Sequence, residues 1–386
     1  MRILLAGQTY FREDNGQAVF TCRLARGLAA AGHTVLAIAP SGDGKITLQK
    51  KGAVLLQQVP ALSLPYNANI TFAPGRIIKG AMESFAPDIV HLQDHYFIST
   101  ATFNAAKKLK IPTVGSNHFL PDNVIDNLHL PTFTKNVATR LLWSHMLSKY
   151  NQLLKVTTPT ETGVEILRQQ NLKPPVEAIS CGIDATRFCP PQINEREKGR
   201  KHFNLDPNAT VFVFVGRIDH EKGLGTVLEA FAEVKNSSAI LYLGGKGSYA
   251  NTLKRRRDQL GLTERVFLPG FIGEDDLPLL LRSSDCFIMA GHAELQSIAT
   301  LEAMASGLPI IAANARALPE LVENGVNGFL FPPHDIQALA KCMNSFIDCK
   351  KKWPLWRTKS RERACQHDLR LTVEKYLSWY QSVIPS

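Results

Sequence analysis

The chain has 386 residues, 45% of them hydrophobic and 20% charged, with 44 Lys+Arg against 34 Asp+Glu and a pI near 9.2. That length asks for two or three domains, and the composition excludes disordered, collagen-like and disulfide-scaffold classes. Seven scattered cysteines without C-x-x-C or paired-histidine spacing exclude a zinc framework and suit a reducing compartment, and no run approaches the 18 apolar residues of a membrane span. The opening run Met1 to Gly7 is too short for a signal peptide and reads as a first strand, so a cytoplasmic location is expected. Strand Arg2–Ala6, a loop from Gln8 to Asn15, a helix from Gly16 to Ala31 stopped by Gly32 and a strand from His33 to Ala39 make a βαβ unit. Short apolar strands recur at Ile89–Leu92, Thr113–Gly115, Lys155–Thr158 and Val176–Ile179, with helices at Gly75–Phe85 and Thr100–Leu109 between them. This alternation predicts a doubly wound parallel sheet up to about Asp184.

The polar segment Pro190 to Lys201 reads as a linker. The unbroken apolar run Val211–Val215 starts a second alternating set, as a fully buried strand should. A helix at Gly225–Lys235, strand Ala239–Leu243, a glycine turn Gly244–Gly247 and a basic helix at Tyr249–Leu260 follow. Strand Val266–Leu268, helix Asp275–Ser283 and strand Cys286–Met289 come next, and a last helix is expected over Leu369–Ser382. The charge is uneven: residues 1–185 carry 18 Lys+Arg against 12 Asp+Glu, and residues 350–363 carry seven basic residues and one glutamate.

The stretch Gly291 to Pro333 carries the strongest chemical signal. Glu294 and Glu302 stand eight residues apart, flanking the loop Leu295-Gln296-Ser297-Ile298 and a helix of about nine residues that Gly307 and Pro309 stop. Backbone N–H groups at such a helix start attract an anion. Glu294 ahead of the helix can accept sugar hydroxyls, and Glu302 within it can accept a vicinal pair of ribose hydroxyls. Acid, anion hole and acid in that order suit a sugar nucleotide. Upstream, Arg217 and Lys222 follow strand Val211–Val215, where ligands of open α/β sheets bind. A guanidinium fork and a compact ammonium there can hold a diphosphate and neutralise its charge as it leaves. No Asp-x-Asp occurs, so these cations are expected to replace a divalent metal, and neither a metal nor a cofactor is expected. Gly244–Gly247 lacks the phosphate-loop spacing and reads as a tight turn.

The run Glu294, Glu302, Ala303, Met304, Ala305, Gly307, Pro309, with Glu320 and the Gly325–Gly328 turn behind it, resembles the donor signature of retaining glycosyltransferases of family GT4. The resemblance implies the α/β GT-B fold, two Rossmann-like doubly wound domains facing a cleft, with the C-terminal helix crossing back to the first domain. It implies domains over 1–189 and 190–365, with 366–386 returning to the first. It also implies that Arg217 and Lys222 stabilise the leaving diphosphate, that His118 and Glu294 orient the donor sugar, and that Leu295, Gln296, Ser297 and Ile298 receive the phosphates. Glu302 reads the ribose. Gly16 lets the ligand approach the backbone, although the family's second glycine is Asn15 here, and Cys181 stands where the family has asparagine.

The phrases His118-Phe119-Leu120-Pro121-Asp122-Asn123 and Ala293 to Ile298 resemble the branch that glycosylates diacylglycerol-type lipids. Lys135–Lys149 and Lys350–Arg363 mix apolar residues and tryptophans with cations, which suits an anionic membrane surface. The expected partners are thus a nucleotide-sugar donor, a lipid acceptor and the inner face of a membrane, with no nucleic-acid motif. A soluble or polysaccharide acceptor, a sugar-nucleotide epimerase and a non-catalytic polyanion binder are the rival readings. Oligomeric state, nucleotide and hexose stay open at this level. The sequence HLQDH could bring His91, Asp94 and His95 to a metal, but His91 also reads as part of a strand.

Overall fold

The computed structural model describes residues 1–8, 15–63, 69–71, 74–121 and 132–384. The chain divides into two compact units, Met1–Cys181 with Leu369–Ser386, and Gly182–Asp368.

The first unit is built on a sheet ordered β3-β4-β2-β1-β6-β7-β8-β9. Its parallel strands are β1 (Arg2–Ala6), β2 (Thr34–Ser41), β4 (Val54–Ser63), β6 (Ile89–Leu92), β7 (Thr113–Ser116), β8 (Val156–Thr158) and β9 (Val176–Ala178). Ile3 to Ala6 of β1 are all buried, as expected of a parallel strand covered on both faces. Helices α1 (Gly16–Ala30), α2 (Gly75–Phe85), α3 (Phe97–Leu109), α4 (Thr132–Tyr150) and α5 (Glu161–Gln169) make the connections. Asn15 caps α1, its Oδ1 accepting from Ala18 N at 2.9 Å. The loop expected between Gln8 and Asn15, and Asp122-Asn123, fall largely or wholly outside the described residues. Two antiparallel strands, β3 (Thr47–Lys51) and β5 (Asn69–Thr71), pair with β4 and were not foreseen. β3 is a polar, half-exposed edge strand, so it carries no apolar alternation to find.

The second unit has six parallel strands ordered β12-β11-β10-β13-β14-β15. They are β10 (Val211–Val215), β11 (Ile240–Gly244), β12 (Val266–Gly270), β13 (Cys286–Met289), β14 (Ile310–Ala313) and β15 (Gly328–Phe331). The order reverses between β10 and β13, which pair directly through Phe212–Cys286 and Val213–Phe287. Its helices are α6 (Glu195–His202), α7 (Leu224–Ala232), α8 (Ala250–Gln259), α9 (Asp276–Ser283), α10 (Ile298–Ala305), α11 (Leu318–Leu321), α12 (Ile336–Asp348) and α13 (Trp353–Cys365). The segment Pro190–Lys201, expected as a linker, runs into α6 from Glu195 onward. Its Arg200 is buried and bonds Asp285 Oδ2 at 2.7 Å. A side chain at Gly199 would sit 1.9 Å from Ser283 Oγ, so glycine lets α6 lie against α9. Around the expected boundary at 189, the Cys189 carbonyl accepts from Arg282 Nε and the Phe188 carbonyl from Arg361 Nη1, both partners lying in the second unit.

The last helix, α14 (Leu369–Gln381), belongs to the first unit. Gly27 of α1 lies under it: a Cβ there would meet Val373 Cγ2 at 2.5 Å. A buried polar chain fixes it to the sheet. His91 bonds Tyr380 OH and Ser116 Oγ, each at 2.7 Å, and Tyr376 OH lies 3.1 Å from both Ser116 Oγ and Thr157 Oγ1. No helix among the described residues is long and apolar enough to cross a membrane.

Candidate donor site

Three loops meet at the carboxyl ends of β10, β11 and β13. Ile218 N donates to Lys246 O, and Ser248 N and Oγ both bond Asp219 Oδ1 at 3.1 Å. Glycines make the contact possible. Gly223 has φ +65°, and a Cβ on it would lie 2.6 Å from the Ala290 carbonyl oxygen. A Cβ on Gly245 would lie 1.8 Å from the Gly216 oxygen.

On this frame sit the charges. Lys222 Nζ donates to Glu294 Oε1 at 2.6 Å and lies 3.6 Å from Glu221 Oε1. Burial alone would lower the Lys222 pKa, but Glu294 and Glu221 outweigh it and hold it above its ordinary value. Arg217 bonds Asp219 at 2.5 Å and Glu221 at 2.8 Å, with its side chain 45% exposed. Pairs this exposed are weak, so an incoming diphosphate can exchange for them.

Ser297 caps α10. Its Oγ accepts from Thr300 N at 3.2 Å and Thr300 Oγ1 at 2.8 Å, which leaves its own hydrogen available. Leu295, Gln296 and Ser297 are buried, Ile298 opens the helix, and Glu302 is buried one turn further along. The Glu294 carbonyl accepts from Ala317 N, which ties the loop to the start of α11. The structure therefore brings Arg217, Lys222, Glu294, Leu295–Ile298 and Glu302 into one set within the second unit. Asp219 and Glu221, absent from the sequence reading, organise its cations; their spacing of two and four from Arg217 was the available signal.

Gly16 and His118 belong to the first unit. Gly16 is exposed at the first position of α1. His118 follows β7, its ring 4.3 Å from that of Phe20, and burial takes its pKa down to about 3. It is therefore a neutral imidazole at any physiological pH. The HLQDH group is occupied structurally: His91 holds α14, while Asp94 accepts from Gln8 N at 2.6 Å, Tyr96 N at 3.0 Å and Ser99 Oγ at 2.7 Å. No group of three potential ligands poised for a metal occurs among the described residues.

The tryptophan signal for a membrane needs correcting. Trp356 is 1% exposed and donates to Gly325 O, and Trp353 stacks on Phe346 at 4.5 Å. Both belong to the core around α12 and α13.

Residues 14–187 match the family described as Glycosyltransferase Family 4, and residues 195–363 match Glycosyl transferases group 1. The chain belongs to the GT-B glycosyltransferases of this superfamily. It is 25% identical over 343 residues to an alpha-monoglucosyldiacylglycerol synthase of Streptococcus pneumoniae, covering 87% of this chain and 76% of that protein. It is 25% identical over 377 residues to a GDP-mannose-dependent alpha-mannosyltransferase of Corynebacterium glutamicum, covering 95% and 87%. The sucrose-phosphate synthase structure from Thermosynechococcus elongatus shares the fold, with a TM-score of 0.82 and 18% identity over 99% of this chain and 98% of that one. The glycosyltransferase uses a nucleotide-diphosphate sugar, the substrate class that its acids and cations suit.

Proposed function

We propose that this glycosyltransferase moves a hexose, with retention and without a metal, from a nucleotide-diphosphate sugar to a hydroxyl of a diacylglycerol-type lipid at the inner membrane face. The donor assignment rests on the Lys222–Glu294 pair beside Arg217 and the capped start of α10. Lys222 and Arg217 neutralise the departing diphosphate, the α10 N–H groups and Ser297 take its oxygens, Glu302 takes the ribose, and Glu294 orients the sugar.

The observation that carries the lipid is α4. Phe133, Val137 and Leu141 recur every four residues and are 79%, 45% and 65% exposed. Trp143, Met146 and Tyr150 on the opposite side are buried. The helix carries Lys135, Arg140 and Lys149 and no acidic residue. An apolar stripe on a purely basic helix suits an anionic lipid surface. The diacylglycerol-glycosylating relative supports the same acceptor class.

The test is incubation with UDP-glucose or GDP-mannose and anionic vesicles holding diacylglycerol, with lipid products read by mass spectrometry. A glycosyl-diacylglycerol is expected. Transfer to soluble glycosides alone, with no flotation on the vesicles, would contradict the lipid reading.

A further inference from the structure

We propose that Gln93 binds the acceptor: its side-chain amide holds an uncharged hydroxyl of the acceptor head. This deepens the function proposed above and rests on it.

Gln93 follows β6 directly and is 1% exposed. Its main chain is fully engaged, with N donating to Ala6 O at 2.8 Å and O accepting from Gln17 Nε2 at 2.7 Å. Its side chain is not. Oε1 lies 3.3 Å from Thr21 Oγ1, and Nε2 has no hydrogen-bond partner. The contact with Thr21 is also ambiguous. That hydroxyl has one hydrogen, and the Gln17 carbonyl, at 2.9 Å, is the nearer acceptor. Once Thr21 donates to Gln17, the Gln93 amide can face Thr21 through either end. In both orientations one polar end of a buried amide is left unpaired.

Such a group is destabilising where it stands, and proteins keep few of them outside functional sites. The fold also makes room for this one. A Cβ on Gly7 would lie 2.9 Å from Gln93 Cβ, so the end of β1 has to be glycine for the side chain to sit there.

A second atom of the same kind lies on the neighbouring strand. β6 pairs with β7, and His118 beyond β7 has a buried Nε2 without a partner. Consecutive residues of α1 touch the two side chains, Phe20 the His118 ring and Thr21 the Gln93 amide. The carboxyl edge of this sheet thus holds two neutral groups, each with one unused polar atom, at the place where α/β sheets bind ligands.

Their chemistry selects the ligand. A carboxamide presents a donor or an acceptor according to its flip, and a neutral imidazole does so according to its tautomer. A hydroxyl, which both donates and accepts, matches either state. A phosphate or carboxylate only accepts and is better served by cations such as Arg217 and Lys222. The head recognised here is therefore a glyceryl or sugar hydroxyl, on a lipid or on a soluble polyol.

The test is Gln93→Leu, with Gln93→Met as the second variant should leucine not fold. Transfer from UDP-glucose and from GDP-mannose is measured in two arms, diacylglycerol in anionic vesicles and free glycerol or methyl glucoside. Nucleotide release and thermal stability are followed in parallel. The expected result is a rise of about tenfold in acceptor KM, the equivalent of one neutral hydrogen bond, with donor KM unchanged and a melting temperature equal to or above that of the parent. A rise confined to the soluble arm keeps the hydroxyl contact and removes the lipid source. An unchanged acceptor KM overturns the proposal and leaves the proposed function standing. A loss of stability with parallel changes in both KM values also overturns it, since Gln93 would then be a packing residue. A parent enzyme that transfers to neither acceptor class overturns the proposed function, and this inference with it.

Discussion

The carboxyl edges of the two sheets are built in opposite ways. In the second unit the two cations named above are already answered, Lys222 by Glu294 and Arg217 by Asp219 and Glu221. In the first unit the Asp94 carboxyl is held by Gln8, Tyr96 and Ser99, while the neutral His118 and Gln93 each keep an Nε2 without a partner. A site for a multiply charged diphosphate must keep two cations close together without ligand, and carboxylates do that at little cost because they exchange for phosphate oxygens. A site for a neutral hydroxyl has no such stand-in, so its polar atoms wait unpaired or beside water. On the proposed reading, charge chemistry and hydroxyl chemistry are divided between the two units.

The largest effect that could break this comparison is loss of the charged half. Lys222→Ala is expected to lower kcat by about 10²–10³, the usual consequence of removing one preorganised charge-stabilising group. Glu294→Ala should abolish transfer while leaving vesicle flotation unchanged. Steady-state rates and flotation of the two variants check both statements, and a kcat within threefold of the parent for Lys222→Ala would remove the lysine from the chemistry.

Gly223→Ala forces a side chain into the left-handed region and against the Ala290 oxygen. A loss of about 1–3 kcal/mol is expected, read by denaturant unfolding, with donor affinity falling as well. Leu141→Asp on α4 sharpens the acceptor side. Flotation on anionic vesicles should drop severalfold, while transfer to a soluble polyol stays as it was.

A smaller effect concerns pH. His118 has its pKa lowered from 6.5 to about 3, so the folded chain refuses a proton that the unfolded chain accepts below pH 6.5. Its contribution to stability is present above that value and is lost as pH falls towards 3, with a slope of at most about 1.4 kcal/mol per pH unit. His118→Asn should flatten this slope in unfolding measured between pH 7 and 4. His95, lowered to about 4 by burial first and by His145 and Lys149 next, contributes in the same direction and remains in the variant. The smallest effect expected is on Trp353→Phe, where vesicle binding should not change at all, because that ring stacks on Phe346.

What was legible in the sequence followed locality. β10 announced itself by five apolar residues in a row, and α10 by its Gly307–Pro309 stop. That Glu294 and Lys222 serve one site followed from family resemblance, but their ion pair, 72 positions apart, was not foreseen, because no local pattern encodes it. β3 was invisible because an edge strand need not alternate, and α6 because its eight residues are nearly all polar and it is held by the Arg200–Asp285 contact. Trp353 and Trp356 looked interfacial because lysines surround them in sequence. Their true neighbours come from α12 and the Gly325 turn, which a local window does not contain. The unpaired amide of Gln93 is a three-dimensional property, and a sequence of HLQDH gives no sign of which polar atom goes unused.

The most direct measurement is calorimetric titration of UDP and GDP into the parent enzyme and into Lys222→Ala, both with excess chelator. Tight binding of one nucleotide to the parent without any metal, weakened at least tenfold in the variant, is the predicted result. Binding that needs added magnesium, or that is equal in the two proteins, would contradict the claim that fixed side-chain cations of the second unit hold the diphosphate.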